Sequence, residues 1–336
     1  MLKMFLICTS LYTLTSCGLD DTINAKHDDS SAGIEAEDSE ELDIEEGQDY
    51  EEDEDTSFHE DTAQEEPVSL IDFSQSGPYE IDVENYTASV SNCTSMNYSV
   101  YSPSGIDNST IVVLGHGFAR GSDVMRGWAE HLSSWGIDVI LPTLCHYNIL
   151  FGVDHEMNGL NMKELTDLQG ASKVIYAGHS AGGLAAIIAA AQDSRAVGIV
   201  GLDVTDTEDV PGVDDYIGRD YAASVHGFAY AIFGEASSCN GNNNGIELFK
   251  MMSDYKLLRV TSADHCDFEN PTNSLCTMSC ENSTELFDNS EIESAIITLG
   301  TAAVISLSDS SSNASLWWSN EGLDDWIYSG LIQEIE

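Results

Sequence analysis

The segment Gly178-His179-Ser180-Ala181-Gly182 carries the most specific chemistry in the chain. Its serine has glycines two residues away on either side. It lies between a strand-like run at 173–177 and an alanine-rich run at 181–191, the setting of a sharp strand-to-helix turn that exposes a nucleophile. Such a turn strains the serine backbone, and side chains at the flanking positions would collide across it. A serine hydroxyl is a weak nucleophile until a base takes its proton. Among nine histidines, His265 has the right place in chain order. It follows a run at 256–261, where a loop over the strand ends brings an imidazole to the turn. His131 falls within a helix, His146 and His155 precede the nucleophile, and His226 lies before a strand at the wrong edge. Asp203 ends the run at 197–202 and Glu235 follows the run at 228–233. Either carboxylate can fix the imidazole tautomer, Asp206 is a weaker third choice, and spacing leaves the first two open.

Acyl transfer also needs backbone N–H groups aimed at a developing oxyanion. One is expected from Ala181, directly after the nucleophile. The other is expected from Phe118 in Gly115-His116-Gly117-Phe118, which follows a run at 111–114. His116 reads as a brace for that loop through its ring hydrogen bonds, not as a base. No cofactor and no metal is required by this set.

The elements that must position these residues alternate in type. Strands are expected at 111–114, 138–141, 173–177, 197–202, 228–233 and 256–261, with antiparallel edge pieces at 79–83 and 97–101. Helices are expected at 124–134, 160–169, 181–191, 246–253 and 291–304, and Trp317, Trp318 and Trp326 are expected to pack a terminal helix. This is the pattern of an α/β fold, a doubly wound, mostly parallel sheet with helices on both faces. The run at 181–191 is apolar all round and is expected to be buried.

Charge excludes several partners. The 336 residues contain 59 acidic and 11 basic side chains, a formal net charge of −48. Nucleic acids and anionic membrane surfaces both need clustered Lys and Arg, so neither is an expected partner. Residues 20–66 hold 22 of the acidic side chains and a single Lys. Such a segment repels itself and buries nothing, so it is expected to be a disordered tether, in preference to a cation-binding tail. The acidic stretch Asp203, Asp206, Glu208, Asp209, Asp214 and Asp215 lacks the glycine turn and terminal Glu of a calcium loop, and reads as a solvated loop. Cys93, Cys145, Cys239, Cys266, Cys276 and Cys280 make an even set without C-x-x-C spacing. This favours up to three disulfides over zinc, with Cys266 joined to Cys276 or Cys280.

The N-terminal stretch, a Lys followed by apolar residues and Leu14-Thr15-Ser16-Cys17, resembles the lipobox of bacterial lipoproteins. The resemblance implies removal of residues 1–16, lipidation at Cys17, a tether over 17–66 and a domain over 67–336. The protein is then exported and held on a bacterial membrane by its lipid. HGFARGSDVMRGWAEHLSSWGIDVILPTL (116–144), GHSAGG (178–183), GLDVTD (201–206) and DHCDFEN (264–270) together resemble the chlorophyllase branch of the α/β-hydrolase fold, with cutinase-like polyester hydrolases as neighbours. The resemblance implies a serine ester hydrolase with Ser180 as nucleophile, His265 as base and Asp203 as acid. Ala181 stands where plant chlorophyllases have Arg, so the substrate is not inherited with the fold. It is expected to be a small or polymeric ester. The alternatives are a polyester hydrolase within the same class, and a surface binding protein that keeps the fold without turnover.

Overall fold

The computed structural model describes residues 70–148, 152–207, 216–280, 286–309 and 312–336. The expected signal segment, Cys17, the tether, and Glu208, Asp209, Asp214 and Asp215 lie outside the described residues.

A long hairpin opens the fold, β1 (Ile81–Val90) against β2 (Cys93–Pro103). Then come β3 (Thr110–Gly115), helix α1 (Arg126–Ser134), β4 (Asp138–Pro142), a small ribbon of β5 (Tyr147–Asn148) and β6 (Gly152–Val153), and α2 (His155–Gln169). The central unit is β7 (Lys173–His179), α3 (Ala181–Ala191) and β8 (Ala196–Leu202). After α4 (Gly218–Ala222) the chain forms β9 (Phe228–Phe233), α5 (Ile246–Lys250), β10 (Tyr255–Val260), α6 (Ser274–Cys280), α7 (Asn289–Ser308), α8 (Asn320–Ser329) and β11 (Ile332–Glu334).

Nine strands form one sheet in the order β1-β2-β4-β3-β7-β8-β9-β10-β11. The six strands from β4 to β10 in that order run parallel, and β1, β2 and β11 supply the antiparallel pairs at the two edges. Parallel strands buried on both faces need apolar side chains pointing both ways. β3 shows this directly: Val112 and Leu114 join one core with Trp128 of α1, Leu299 of α7 and Leu323 of α8. Val113 faces the opposite core with Leu165 of α2, Ile187 of α3 and Phe249 of α5. The expected α/β layering with helices on both faces is therefore present.

Several elements differ from expectation: α2 begins at His155, ahead of the expected 160, and the short α4, β5, β6 and β11 went unread. The edge hairpin is longer than the two short pieces at 79–83 and 97–101, because its exposed face carries polar residues that hide its alternation. α5 stops at Lys250, short of 253. α6 went unread, being only seven residues of small and polar composition with a single buried side chain, Cys276.

Among the described residues all six cysteines are in disulfides: Cys93–Cys145, Cys239–Cys280 and Cys266–Cys276. Cross-links of this number fit an oxidising compartment and hence an exported protein.

Candidate active site

Ser180 sits between β7 and α3 with φ +55° and ψ −127°, a left-handed backbone conformation that non-glycine residues adopt only under constraint. The constraint is visible around it. A methyl group added at Gly178 would lie 2.4 Å from the Gly182 backbone, and one at Gly182 would lie 2.4 Å from the Gly115 backbone. The start of α3 therefore presses on both β7 and the loop after β3. Ser180 N–H donates to Leu202 O at 3.0 Å, which ties the turn to β8.

His265 and Asp203 meet across 62 residues of chain. His265 Nδ1 donates to Asp203 Oδ2 at 2.6 Å, with Asp203 fully buried. The second oxygen of Asp203 accepts the Gly234 N–H at 3.0 Å, and Asn240 Nδ2 donates to Oδ2 at 3.1 Å. Asp203 is itself left-handed, φ +43°, with its N–H on Ile232 O. Glu235 points elsewhere, its Oε1 accepting the Ser262 N–H at 3.2 Å. The geometry thus puts Asp203, not Glu235, on the imidazole. Ser180 and His265 line one cavity of about 360 Å³. No hydrogen bond joins the Ser180 hydroxyl to His265 in this structure; such contacts are often open before substrate binds.

The loop expected to hold an oxyanion lies against the nucleophile, since a Cβ at Gly117 would stand 3.3 Å from Ser180 Cβ. Among the described residues, neither Phe118 N–H nor Ala181 N–H donates to a protein acceptor. His116 is fully buried. Its Nε2 accepts the Leu144 N–H at 3.0 Å, so Nδ1 carries the proton and donates to Gly117 O at 2.9 Å. Burial holds its pKa down to about 4, which keeps the ring neutral. The bracing geometry expected for His116 is what the fold contains.

Several residues of the site escaped sequence reading. His179, inside the motif, donates from Nε2 to the carbonyl of His265 at 2.9 Å, and burial first and the neighbouring His265 second push its pKa well down. Asn240, in the turn after β9, touches both Asp203 oxygens and donates to Glu235 O at 2.8 Å. Arg120 grips Glu269 with two 2.6 Å hydrogen bonds, joining the loop after β3 to the histidine loop. Charge-assisted forks of this kind fix orientation as well as distance. Asp206, read as part of a solvated loop, is instead 4% exposed, its Oδ1 accepting Thr207 N–H at 2.8 Å and Gly218 N–H at 2.9 Å. Short polar segments give no signal of burial when their partners are backbone groups far along the chain.

A second cavity of about 320 Å³ also reaches Ser180, lined by Ala181, His155, Thr205 and Asp206. A larger one, about 710 Å³, lies behind the histidine loop among Trp128, Cys266, Asn270 and Ile297 and contains neither Ser180 nor His265. Converging chemical groups, not volume, mark the first two as the site. No protein-family model matches the chain, and no curated protein matches it.

Proposed function

We propose that the protein is a serine hydrolase of carboxylic esters. The observation that carries this is the 2.6 Å hydrogen bond from His265 to a buried Asp203 beside a serine held in a strained left-handed turn. The strand order, with the third and fourth strands exchanged and the second antiparallel, supports an α/β-hydrolase reading. Ser180 Oγ attacks the ester carbonyl carbon while its proton passes to His265 Nε2. Asp203 stabilises the imidazolium through Nδ1–H. The oxyanion takes hydrogen bonds from the Phe118 and Ala181 N–H groups, each worth roughly 10²–10³ in rate in such sites. His265 then protonates the leaving alcohol, and water, activated by the same imidazole, releases the acid.

Export agrees with the three disulfides, and we place the chain on a bacterial membrane through a lipid on Cys17. One experiment examines both points. A fluorophosphonate probe applied to intact producing cells labels Ser180 and leaves Ser180→Ala unlabelled, and Cys17→Ser moves the labelled protein from the membrane fraction to the medium or periplasm. Well-folded protein that stays unlabelled sinks the hydrolase. It would favour the binding protein.

A further inference from the structure

Two of the three disulfides lie side by side against the histidine loop. Cys266, next to His265 in the chain, is bonded to Cys276 of α6. Cys239, next to Asn240, is bonded to Cys280 at the end of the same helix. The sulfurs of Cys266, Cys276 and Cys280 all lie within 4.8 Å of one another. The two bonds differ in access. Cys266 is 1% and Cys276 6% exposed, whereas Cys239 and Cys280 are half-buried. Cys239 also lines both cavities that reach Ser180. A reductant arriving from solvent therefore meets Cys239–Cys280 first, and the sulfur it frees at Cys280 already stands beside the inner bond.

We infer that these four cysteines form a redox relay, in which reduction of Cys239–Cys280 transfers the anchor of the histidine loop from Cys276 to Cys280. A dithiol reductant gives two electrons and two protons to the outer bond. It becomes a disulfide itself and leaves thiols at Cys239 and Cys280. The Cys280 thiol then loses its proton, and the thiolate attacks Cys266 Sγ. The Cys266–Cys276 bond breaks, and Cys276 departs as a thiolate that takes up a proton. One disulfide, Cys266–Cys280, and two thiols, at Cys239 and Cys276, result. Attack at Cys276 instead is disfavoured by the helix. Cβ atoms one turn apart stand about 5–6 Å from each other, whereas a disulfide holds its Cβ atoms about 3.8 Å apart. Loop entropy hardly opposes the transfer, since the new ring is only four residues longer than the old one.

The transfer reaches the site in two ways. Closing a gap of at most 4.8 Å to a bond of about 2 Å draws Cys280 towards Cys266 by up to about 3 Å. Leu275 and Ser279 ride on the same helix and line the cavity shared by Ser180 and His265. Loss of the outer bond also releases α6 from the turn that carries Asn240, whose amide donates to Asp203. Reduction thus reshapes the cavity while keeping one covalent hold on the loop after His265. The effect on turnover rests on the ester-hydrolase reading, but the sulfur exchange does not.

The test reduces the full chain with dithiothreitol, alkylates at intervals and maps the cysteines by mass spectrometry. Partial reduction is expected to accumulate Cys266–Cys280 with alkylated Cys239 and Cys276. In Cys239→Ser/Cys280→Ser, which lacks the relay sulfur, reduction of Cys266–Cys276 is expected to be about tenfold slower than in the wild type. An intermediate with Cys266–Cys276 intact, or equal reduction rates in the two proteins, overturns the relay. Cys239→Ser/Cys276→Ser permits only the Cys266–Cys280 bond and reads the effect on the site. Its kcat/KM for a short p-nitrophenyl ester is expected to differ at least about fivefold from that of Cys239→Ser/Cys280→Ser. Equal values overturn the switch while leaving the hydrolase standing. The wild-type map decides the exchange even in a chain that turns over no ester, and even if the serine variants fail to fold.

Discussion

The turn around Ser180 and the loop around His265 face each other across the same cavity, yet they are held by different forces. The turn is fixed by contact: Gly178, Gly182 and Gly115 approach so closely that no side chain fits between them. The histidine loop is fixed by partners brought from afar. Asp203 comes from the end of β8, Asn240 from the turn after β9, and Arg120 from the loop after β3. A disulfide at Cys266 adds a covalent hold. Steric constraint leaves its record in neighbouring letters of the chain. A hydrogen-bond network leaves its record nowhere local.

The comparison is most severely tested on the loop side. Asp203→Asn keeps the shape but favours the wrong imidazole tautomer, and the esterase rate is expected to fall by about 10³–10⁴. Glu235→Gln, whose carboxyl faces Ser262, should change the rate by no more than about twofold. Kinetics on both folded variants decide the matter, and a large loss confined to Glu235→Gln would move the acid to the end of β9.

On the turn side the damage should fall on stability. Gly182→Ala drives a methyl into the Gly115 and His116 backbone at 2.4–2.5 Å, and neither strand nor helix can retreat without breaking ladder hydrogen bonds. Overpacking against backbone is expected to cost about 3 kcal/mol in urea denaturation. A variant as stable as the parent would mean that contact does not define the turn.

A subtler difference concerns pH. His116, on the turn side, has its pKa depressed from 6.5 to about 4 by burial. The unfolded chain therefore takes up a proton first as pH falls, so the stability that His116 contributes is complete above about pH 6.5 and is lost progressively towards pH 4. Between pH 7 and 5 the wild type is expected to lose about 2 kcal/mol more than His116→Gln, read from urea midpoints. Parallel pH curves for the two proteins would show that His116 is not a neutral brace.

Much of the scaffold was legible because parallel strands announce themselves as short apolar runs. The expected strand at 228–233 coincides with β9, and the helix at 181–191 coincides with α3. Ser180, His265 and the brace at His116 followed from chain order and from the chemistry each group must perform. The choice between Asp203 and Glu235 did not. Both close a parallel strand at the same rim of the sheet, and what separates them is where each side chain finds its hydrogen bonds. Asn240 and Arg120 were invisible for a related reason, as an amide in a turn and a cation in an acidic chain look ordinary until their carboxylate partners are located. Asp203 and Asp206 carry the reverse lesson, since the acidic stretch they belong to reads as solvent-facing and both are buried.

One consequence follows from the short helix α6. Cys276 and Cys280, one helical turn apart, tether it to Cys266 and Cys239. Between and beside them, Leu275 is 62% and Met278 87% exposed, and Leu275 and Ser279 line the cavity beside His265. A seven-residue helix is too short to be stable on its own, so sulfur bridges do here what a packed apolar face does elsewhere. The two positions that shape the wall are thereby released from supporting the fold. Leu275 and Ser279 form a tunable surface on a fixed frame, a place where mutation can reshape the cavity beside His265 without placing the rest of the molecule at risk.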